Sequence, residues 1–315
     1  MIDLHVHSVF SDGTLTPTQL VDHAMEMGVS AFALTDHDTT DGIEEAVNYA
    51  ESLRKKASPQ MAHGDGVVGP LAHGDGGVGP KRAVQGEACK VPEVIPGIEL
   101  STDQAGTEVH VVGLFIDQNN PEFRGYLKSF VESRDNRNKK MCEKFLEHGI
   151  NVPYEALLER FPNCILTRAH FARFLTEHGY VKSNQEAFER YLGSRCPMYV
   201  PREKITPKNV VELILKAGGL PIFAHPILCR MSDARLEALV SELKDAGLVG
   251  IEAIYSTYAT SEERQIRQLA KKYDLLISGG SDFHGANKPK IEMGIGLGKL
   301  YVPDAVLTEL KQKLR

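Results

Sequence analysis

The chain has 315 residues, of which 42% are hydrophobic and 25% are charged, and its formal net charge is −6. This composition is typical of a globular protein with a large core, and the acidic balance gives no overall attraction to nucleic acid or anionic membranes. The five cysteines are scattered without a C-x-x-C pair, so neither a disulfide framework nor a thiolate zinc site is expected. Because no apolar run approaches the ~18 residues of a membrane span and no N-terminal signal fits, we expect a cytoplasmic protein.

Strand and helix patterns alternate through most of the sequence. Thr16 and Pro17 are typical of a helix start, as are Thr206 and Pro207. This alternation predicts βα units around a parallel sheet or barrel. The expected strands are 2–7, 31–35, 94–100, 108–115, 220–224, 248–254 and 275–278.

Two stretches interrupt the alternation. Residues 58–92 are rich in glycine and contain a tandem near-repeat at 61–80, with too little hydrophobic content for a packed core. We expect a loop there, with extra metal ligands in the repeat as the lesser alternative. Residues 119–205 show helical patterns without a convincing strand. The sequence thus predicts a first barrel part at 1–118, a helical insertion or cap at 119–205 and a second barrel part at 206–315.

Histidines and acidic residues lie in or directly after most of the expected strands. His5 and His7 are two apart in a strand, so both imidazoles leave the same face. Asp282 and His284 repeat this spacing near the other end of the sequence. In a barrel, the carboxyl ends of parallel strands meet at one rim, so such residues would converge on one pocket. The candidate metal ligands are His5, His7, Asp12, His37, Glu99, His110, His225, Asp282 and His284.

The donor types of this set indicate which metals it would hold. Six imidazoles and three carboxylates suit zinc, manganese or iron rather than calcium or magnesium. Nine ligands, one of them bridging, are enough for three divalent ions, whose net positive charge would attract phosphate. A single histidine such as His110 is more often hydrogen-bonded in a core, but nine positions in one geometry favour a metal site.

Several motifs together resemble those of the PHP superfamily, named for polymerase and histidinol phosphatase. In order, they are HVHSVFSDG, TDHD, PGIELS, VHVVG, PIFAHP and SDFHG. The resemblance implies an α/β fold, a distorted seven-stranded, TIM-like β/α barrel with a helical insertion, and a trinuclear site. By the pattern of that family, one ion would be held by His5, His7, Glu99 and Asp282, a second by Glu99, His110 and His225, and a third by Asp12, His37 and His284.

The same resemblance implies the chemistry. A phosphoester would be hydrolysed by a metal-bridging hydroxide, because the ions lower the pKa of a shared water towards about 7. The motifs assign no proton donor to the leaving group. Asp36 and Asp38 flank His37 and are candidates for orienting a ligand histidine, although a helix-capping role for Asp38 is an equal alternative.

The helical insertion contains a basic cluster between residues 124 and 140. Within it, Arg134 and Arg137 are three apart and share a helix face. An insertion between two metal-bearing strands must emerge near the metal rim, and arginine suits a bidentate contact with phosphate. A solvated basic face is the alternative. Arg168 and His170 lie in a later motif of the insertion.

Barrel and insertion together are similar to the stand-alone PHP branch of 3′,5′-nucleoside bisphosphate phosphatases, some of which are also 5′-to-3′ exoribonucleases. This implies a small phosphorylated nucleotide as substrate, with Arg134, Arg137, Arg168 and His170 as the contacts to its 5′-phosphate and nucleotide. Short RNA ends and histidinol phosphate are alternative substrates. An amide hydrolase and a nucleotide sensor without turnover are alternative functions, and no membrane or protein partner is expected.

Overall fold

The computed structural model describes residues 1–57, 90–193, 195–201 and 206–314. The repeat at 61–80, with the alternative ligands in it, lies outside the described residues. Seven strands form one sheet in sequence order. They are β1 (Ile2–Val6), β2 (Ala31–Leu34), β3 (Glu93–Gln104), β4 (Thr107–Leu114), β5 (Leu220–Phe223), β6 (Gly250–Tyr255) and β7 (Leu276–Gly280).

The direction of β4 differs from the expected parallel arrangement. β4 is antiparallel to both β3 and β5, whereas the other neighbouring pairs are parallel. Only Ala105 and Gly106 connect β3 to β4, and both have positive φ, at 52° and 79°. Two residues in that conformation form a hairpin, and a parallel crossover needs a connection of roughly a dozen residues. The expectation of a wholly parallel barrel was therefore wrong at this strand.

The two ends of the sheet approach each other and nearly close the barrel. The backbone N–H of Asp282 donates to the carbonyl of His5 at 2.9 Å, and that of His7 donates to Phe283 at 3.0 Å. Gly280 at the end of β7 permits this contact, because a Cβ there would lie 2.4 Å from the Cβ of His5. The predicted seven-stranded α/β barrel is thereby confirmed.

The helices of the barrel cover the strands on the outside. Thr16 caps the helix Pro17–Glu26 and Thr206 caps the helix Pro207–Lys216, each with proline in the first turn, as the sequence predicts. One buried cluster joins strand residues such as Phe32 and Phe223 to these helices. The helices are α1 (Pro17–Glu26), α2 (Ile43–Ala57), α3 (Pro121–Glu147), α4 (Tyr154–Arg160), α5 (Arg168–Glu177), α6 (Asn184–Ala187), α7 (Pro207–Lys216), α8 (Asp233–Asp245), α9 (Thr260–Lys272) and α10 (Asp304–Lys313).

Helices α3 to α6 lie between β4 and β5 and are followed by a π-helical turn at Phe188–Leu192. They share a hydrophobic cluster of their own, which includes Phe145, Leu157 and Phe171. The backbone N–H of Ile165 donates to a carbonyl in the loop after β1, so this insertion contacts the barrel rim. The boundaries predicted for it remain a prediction. Within the described ranges, none of the helices has the length and apolar character needed to cross a bilayer.

Candidate metal centre

All nine predicted ligands converge at one rim of the barrel. His5 belongs to β1 and Glu99 to β3, and most of the others lie in the loops that follow the strands. His110 is near the beginning of β4, opposite Ser101 of β3. Because β4 runs in the reverse direction, its beginning lies at the same rim as the carboxyl ends of the parallel strands. The antiparallel strand thus adds its imidazole to the cluster.

Glu99 lies at the centre of this cluster. Its Oε1 lies 2.8 Å from Nδ1 of His110 and 2.8 Å from Nε2 of His225. Its Oε2 lies 3.2 Å from Nε2 of His5, 3.3 Å from Nε2 of His7 and 3.2 Å from Nδ1 of His37. A carboxylate surrounded in this way can bridge two cations.

Two further carboxylates complete the cluster. Asp12 Oδ1 lies 3.2 Å from Nε2 of His284 and 3.8 Å from Nδ1 of His7. Asp282 Oδ1 lies 3.4 Å from Nε2 of His7 and 3.3 Å from Nδ1 of His284. His7 and His284 are therefore shared between the two aspartates, and their rings stack with centroids 4.1 Å apart.

The unsatisfied atoms of the cluster fit metal binding. Buried polar atoms normally have hydrogen-bond partners, but within the described part of the chain six cluster atoms have none: His5 Nε2, His7 Nε2, Asp12 Oδ1, His37 Nδ1, His110 Nε2 and His225 Nδ1. The cluster contains four overlapping groups of residues, and within each group the donor atoms lie within 4.8 Å of one another. Together the four groups contain all nine residues. One group unites His7 with Asp12, His37 and His284, so the structure links the sets that the family pattern assigns to separate ions. The division among ions remains a prediction.

Charges within the cluster shift the pKa values of its members. Burial raises the pKa of Glu99, but neighbouring imidazoles, His37 foremost, hold it well below its usual range. Burial also raises the pKa of Asp282, but the positive charge of Lys288, followed by those of the imidazoles, holds it well below its usual range. Burial lowers the pKa of His37 to about 3. Burial also acts to lower the pKa of His110, but Glu99 and Glu108 together outweigh it and raise that pKa to about 10. The carboxylates are thus ionised at neutral pH, and cations compete with protons for some of the imidazoles.

Glu252 supports the cluster and was missed in the sequence. This residue of β6 is buried, its Oε1 lies 3.0 Å from Nδ1 of His5, and its Oε2 accepts the backbone N–H of His225 at 2.8 Å. A carboxylate only accepts, so Nδ1 of His5 carries the hydrogen and Nε2 faces Glu99. The sequence did contain an indication of this role, because Gly250-Ile251-Glu252 repeats the tripeptide Gly97-Ile98-Glu99.

Asp282 has two supporting residues that were also missed. Tyr255 donates its hydroxyl to Oδ2 of Asp282 at 2.5 Å, and Lys288 donates to the same oxygen at 2.6 Å. These contacts leave Oδ1 to face the histidines. Lys288 lies in the loop after β7, where no spacing rule indicated its role.

Asp36 and Asp38 have different environments. Asp36 accepts hydrogen bonds from the hydroxyls of Ser8 and Ser11 at 2.6 Å, and the Ser11 hydroxyl lies 3.4 Å from Nδ1 of His7. Asp36 therefore reaches a candidate ligand through serine. The carboxylate of Asp38 accepts from the insertion, and α2 begins only at Ile43, so the structure does not show Asp38 as a helix cap.

The predicted substrate contacts lie where the insertion meets the barrel. Nε and Nη2 of Arg134 donate to Oδ2 of Asp38 at 2.8 and 2.6 Å, and only 3% of Arg134 is exposed. Arg137 is buried on the same helix, whereas the other basic residues between positions 124 and 140 are exposed. Arg168 donates to Glu108. Thus the guanidiniums of Arg134 and Arg168 are bound by carboxylates of the protein, and their role as substrate contacts remains a prediction.

His170 is the fourth predicted contact and lies at the start of α5. It is 4% exposed, and its Nδ1 accepts the backbone N–H of Thr167 at 2.9 Å. Burial lowers its pKa to about 4. The side chain therefore acts in a capping box, and a role toward nucleotide remains a prediction.

Comparison with known proteins identifies the family of the chain. The sequence pattern of the PHP domain family matches residues 3–194. The chain belongs to the PHP family. It is 32% identical to a 5′-3′ exoribonuclease of Haemophilus influenzae over 90% of this chain and 89% of that protein. It is 30% identical to a 3′,5′-nucleoside bisphosphate phosphatase of Chromobacterium violaceum over 93% of this chain and 90% of that protein.

The fold comparison extends this likeness to the insertion. A solved structure of an amidohydrolase from Chromobacterium violaceum, with bound sulfate and no metal, matches with a TM-score of 0.78 and 29% identity. The match covers 99% of this chain and 96% of that chain. Family membership and the buried donor groups identify the PHP chain as a phosphoester hydrolase that binds divalent metal.

Proposed function

We propose that this PHP protein hydrolyses the 3′-phosphate of 3′,5′-nucleoside bisphosphates and releases the 5′-monophosphate. The observation that carries the proposal is the placement of five imidazoles around the two oxygens of Glu99 at a barrel rim. Similarity to the bisphosphate phosphatase of Chromobacterium violaceum supports the substrate. The proposal includes three divalent ions of manganese, iron or zinc, held by the nine predicted ligands.

The chain's own residues prepare this site for a phosphoester. Divalent ions held by the cluster would supply the Lewis acidity that phosphoester hydrolysis requires. Glu252 fixes the ring of His5, and Tyr255 with Lys288 fixes Asp282, so the donors are oriented before any ligand arrives. Burial of these groups lowers the local dielectric and strengthens their interaction with charge.

The test is release of phosphate from adenosine 3′,5′-bisphosphate by the manganese-loaded protein, beside 5′-AMP and histidinol phosphate. We expect the bisphosphate to be converted to 5′-AMP, with little release from 5′-AMP itself. His7→Ala should abolish turnover, whereas His148→Ala on the exposed end of α3 should not. Preferential hydrolysis of histidinol phosphate would reject the proposed substrate, and binding without any turnover would favour the sensor function.

Exoribonuclease activity on short RNA is the second candidate. The 32% identity to the Haemophilus influenzae exoribonuclease is the observation in its favour. A 5′-phosphorylated tetranucleotide in the same assay separates the two, with products followed by chromatography. Stepwise release of 5′-mononucleotides at a kcat/KM above that for the bisphosphate would establish RNA as the preferred substrate.

A further inference from the structure

Lys288 lies in the loop after β7, and its backbone is held beside the candidate metal centre. A single 3-10 turn, Gly285–Asn287, separates it from His284. The backbone N–H of Lys288 donates to the first carbonyl of that turn at 3.1 Å. The side-chain amide of Asn287 donates to the backbone carbonyl of Asp12 at 2.7 Å, which joins this loop to the loop after β1. Lys288 is therefore fixed close to two candidate ligands.

The side chain of Lys288 points inward. It is 36% exposed, yet its Nζ lies 2.6 Å from Oδ2 of Asp282, whose side chain is only 7% exposed. Lysine side chains usually keep the ammonium in water and bury the apolar stem. The other oxygen of Asp282, Oδ1, faces His7 and His284 at 3.4 and 3.3 Å. The ammonium is thus one carboxylate group away from the oxygen that is offered to metal.

The orientation of Asp282 does not by itself account for a charged group at this place. Tyr255 already donates its buried hydroxyl to Oδ2 of Asp282 at 2.5 Å, and the backbone N–H of Asp282 donates to the carbonyl of His5 at 2.9 Å. A neutral hydroxyl orients a carboxylate without competing for its charge. An ammonium beside a metal ligand, in contrast, repels the cations that the ligand is to hold. Lys288 therefore weakens metal binding unless an anion offsets its charge.

The ammonium of Lys288 has donors left for such an anion. An ammonium has three N–H donors and no acceptor. Among the residues that the structure describes, Asp282 is the only hydrogen-bond or ion-pair partner of Nζ. In phosphoryl transfer the charge of the reacting group spreads over three equatorial oxygens, and lysine is among the groups that stabilise it. A phosphate at the cluster is an anion that would contact both the divalent ions and this ammonium.

We propose that Lys288 is a catalytic residue whose ammonium donates a hydrogen bond to a non-bridging oxygen of the reacting phosphate and stabilises its charge in the transition state. The proton stays on the nitrogen, so Lys288 acts through its charge and its hydrogen bond and not as an acid. The inference rests on the phosphoester hydrolysis within the proposed function, and it does not require the bisphosphate as substrate.

The kinetic test uses p-nitrophenyl phosphate and adenosine 3′,5′-bisphosphate with manganese-saturated protein. Removal of a donor that acts in the transition state should lower kcat of Lys288→Met roughly hundredfold or more on either substrate that is turned over. Lys288→Arg keeps the charge and should recover most of that loss. Lys290→Met, an exposed substitution in the same loop, is the matched control and should keep the wild-type kcat. A wild-type kcat in Lys288→Met would overturn the proposal.

Titration of manganese into the metal-free proteins separates this role from a positioning role. Because the ammonium repels cations, Lys288→Met should bind manganese as tightly as the wild type or more tightly. A lysine that only positioned Asp282 would give the opposite result, since its removal would weaken metal binding. Weaker manganese binding in Lys288→Met, together with a kcat that returns at saturating manganese, would therefore reject the catalytic role.

A binding test keeps this inference separate from the proposed function. Vanadate adopts the five-coordinate geometry of the transition state, and transition-state analogues report contacts that raise kcat. Calorimetric titration of vanadate and of inorganic phosphate into manganese-loaded protein measures affinity without turnover. We expect Lys288→Met to weaken vanadate binding at least tenfold and phosphate binding less, even if the bisphosphate is not hydrolysed. Unchanged vanadate affinity, or an equal loss for both anions, would reject the proposal even if the bisphosphate is a substrate.

Discussion

The hydroxyl of Thr167 donates a 2.9 Å hydrogen bond to Oδ2 of Asp12 and so joins the helical insertion to the metal-ligand cluster. The same hydroxyl accepts the backbone N–H of Ala169 and caps α5. Because Oδ2 is occupied, Oδ1 of Asp12 is the oxygen that faces His284. One residue therefore both begins a helix of the insertion and orients a candidate ligand.

Replacement of Thr167 by valine should weaken metal binding. The loss of its hydroxyl releases Asp12 to rotate, and removal of such a supporting hydrogen bond costs about tenfold or more in metal affinity. Titration of manganese into the metal-free variant measures this effect. Thr167→Ser is the matched control, because serine keeps the hydroxyl and caps a helix equally well. Equal weakening in both variants would mean that the methyl packing of Thr167, and not its hydrogen bond, is responsible.

Glu252→Gln should also lower metal affinity. The amide holds the ring of His5 less strongly than the carboxylate, so we expect roughly tenfold weaker manganese binding. Metal content after dialysis and calorimetric titration both report this change. Glu242→Gln, an exposed substitution on α8, is the control and should bind manganese like the wild type. A full metal content at wild-type affinity in Glu252→Gln would show that His5 needs no such partner.

Arg134→Met should destabilise the fold. The substitution leaves the buried carboxylate of Asp38 without its guanidinium, and breaking a buried pair in this way costs about 3–5 kcal/mol. Urea unfolding of the metal-free protein measures the loss, with Arg124→Met on the exposed face of α3 as control.

The double variant Arg134→Met, Asp38→Asn should recover part of that stability, because the unpaired charge is removed. The opposite result is equally informative. If Arg134→Met unfolds like the wild type and only raises KM for the bisphosphate, the guanidinium serves as the substrate contact predicted from the sequence.

Stability should fall in mild acid because of His170. Its folded pKa is about 4, against 6.5 in a free side chain. Between these two pH values the unfolded chain holds a proton that the folded chain lacks, so the free energy of unfolding decreases as the pH falls from 6.5 towards 4. The slope from this one residue is about 1.4 kcal/mol per pH unit.

Comparison with His170→Gln isolates this contribution. Glutamine can accept the N–H of Thr167 in the same capping box but does not titrate. Urea unfolding at pH 5 and pH 7, without metal, should show a smaller loss of stability in the variant than in the wild type. An identical loss in both proteins would show that His170 is not the group responsible.

The sequence was sufficient to predict that the nine candidate ligands lie close together, because their positions follow from local patterns. Each ligand lies in or just after a strand, and spacings such as that of His5 and His7 place pairs of side chains on one face. Sheet topology then brings strand ends together. The antiparallel direction of β4 could also have been predicted, because the connection between the expected strands 94–100 and 108–115 is too short for a parallel crossover.

Contacts between the insertion and the barrel could not be predicted in this way. Arg134 contacts Asp38 and Thr167 contacts Asp12 across long stretches of sequence, and these pairs depend on how the insertion packs on the rim. A basic helix face has the same pattern whether its arginines bind phosphate or a buried carboxylate.

The closure of the barrel also determines when activity can first appear. His5 is synthesised early and Asp282 late, and the cluster gains both only when β7 joins β1 at Gly280. A growing chain on the ribosome therefore has several imidazoles but an incomplete site. Phosphoester hydrolysis can begin only after the last strand has been made and has folded against the first, so an unfinished chain is inactive.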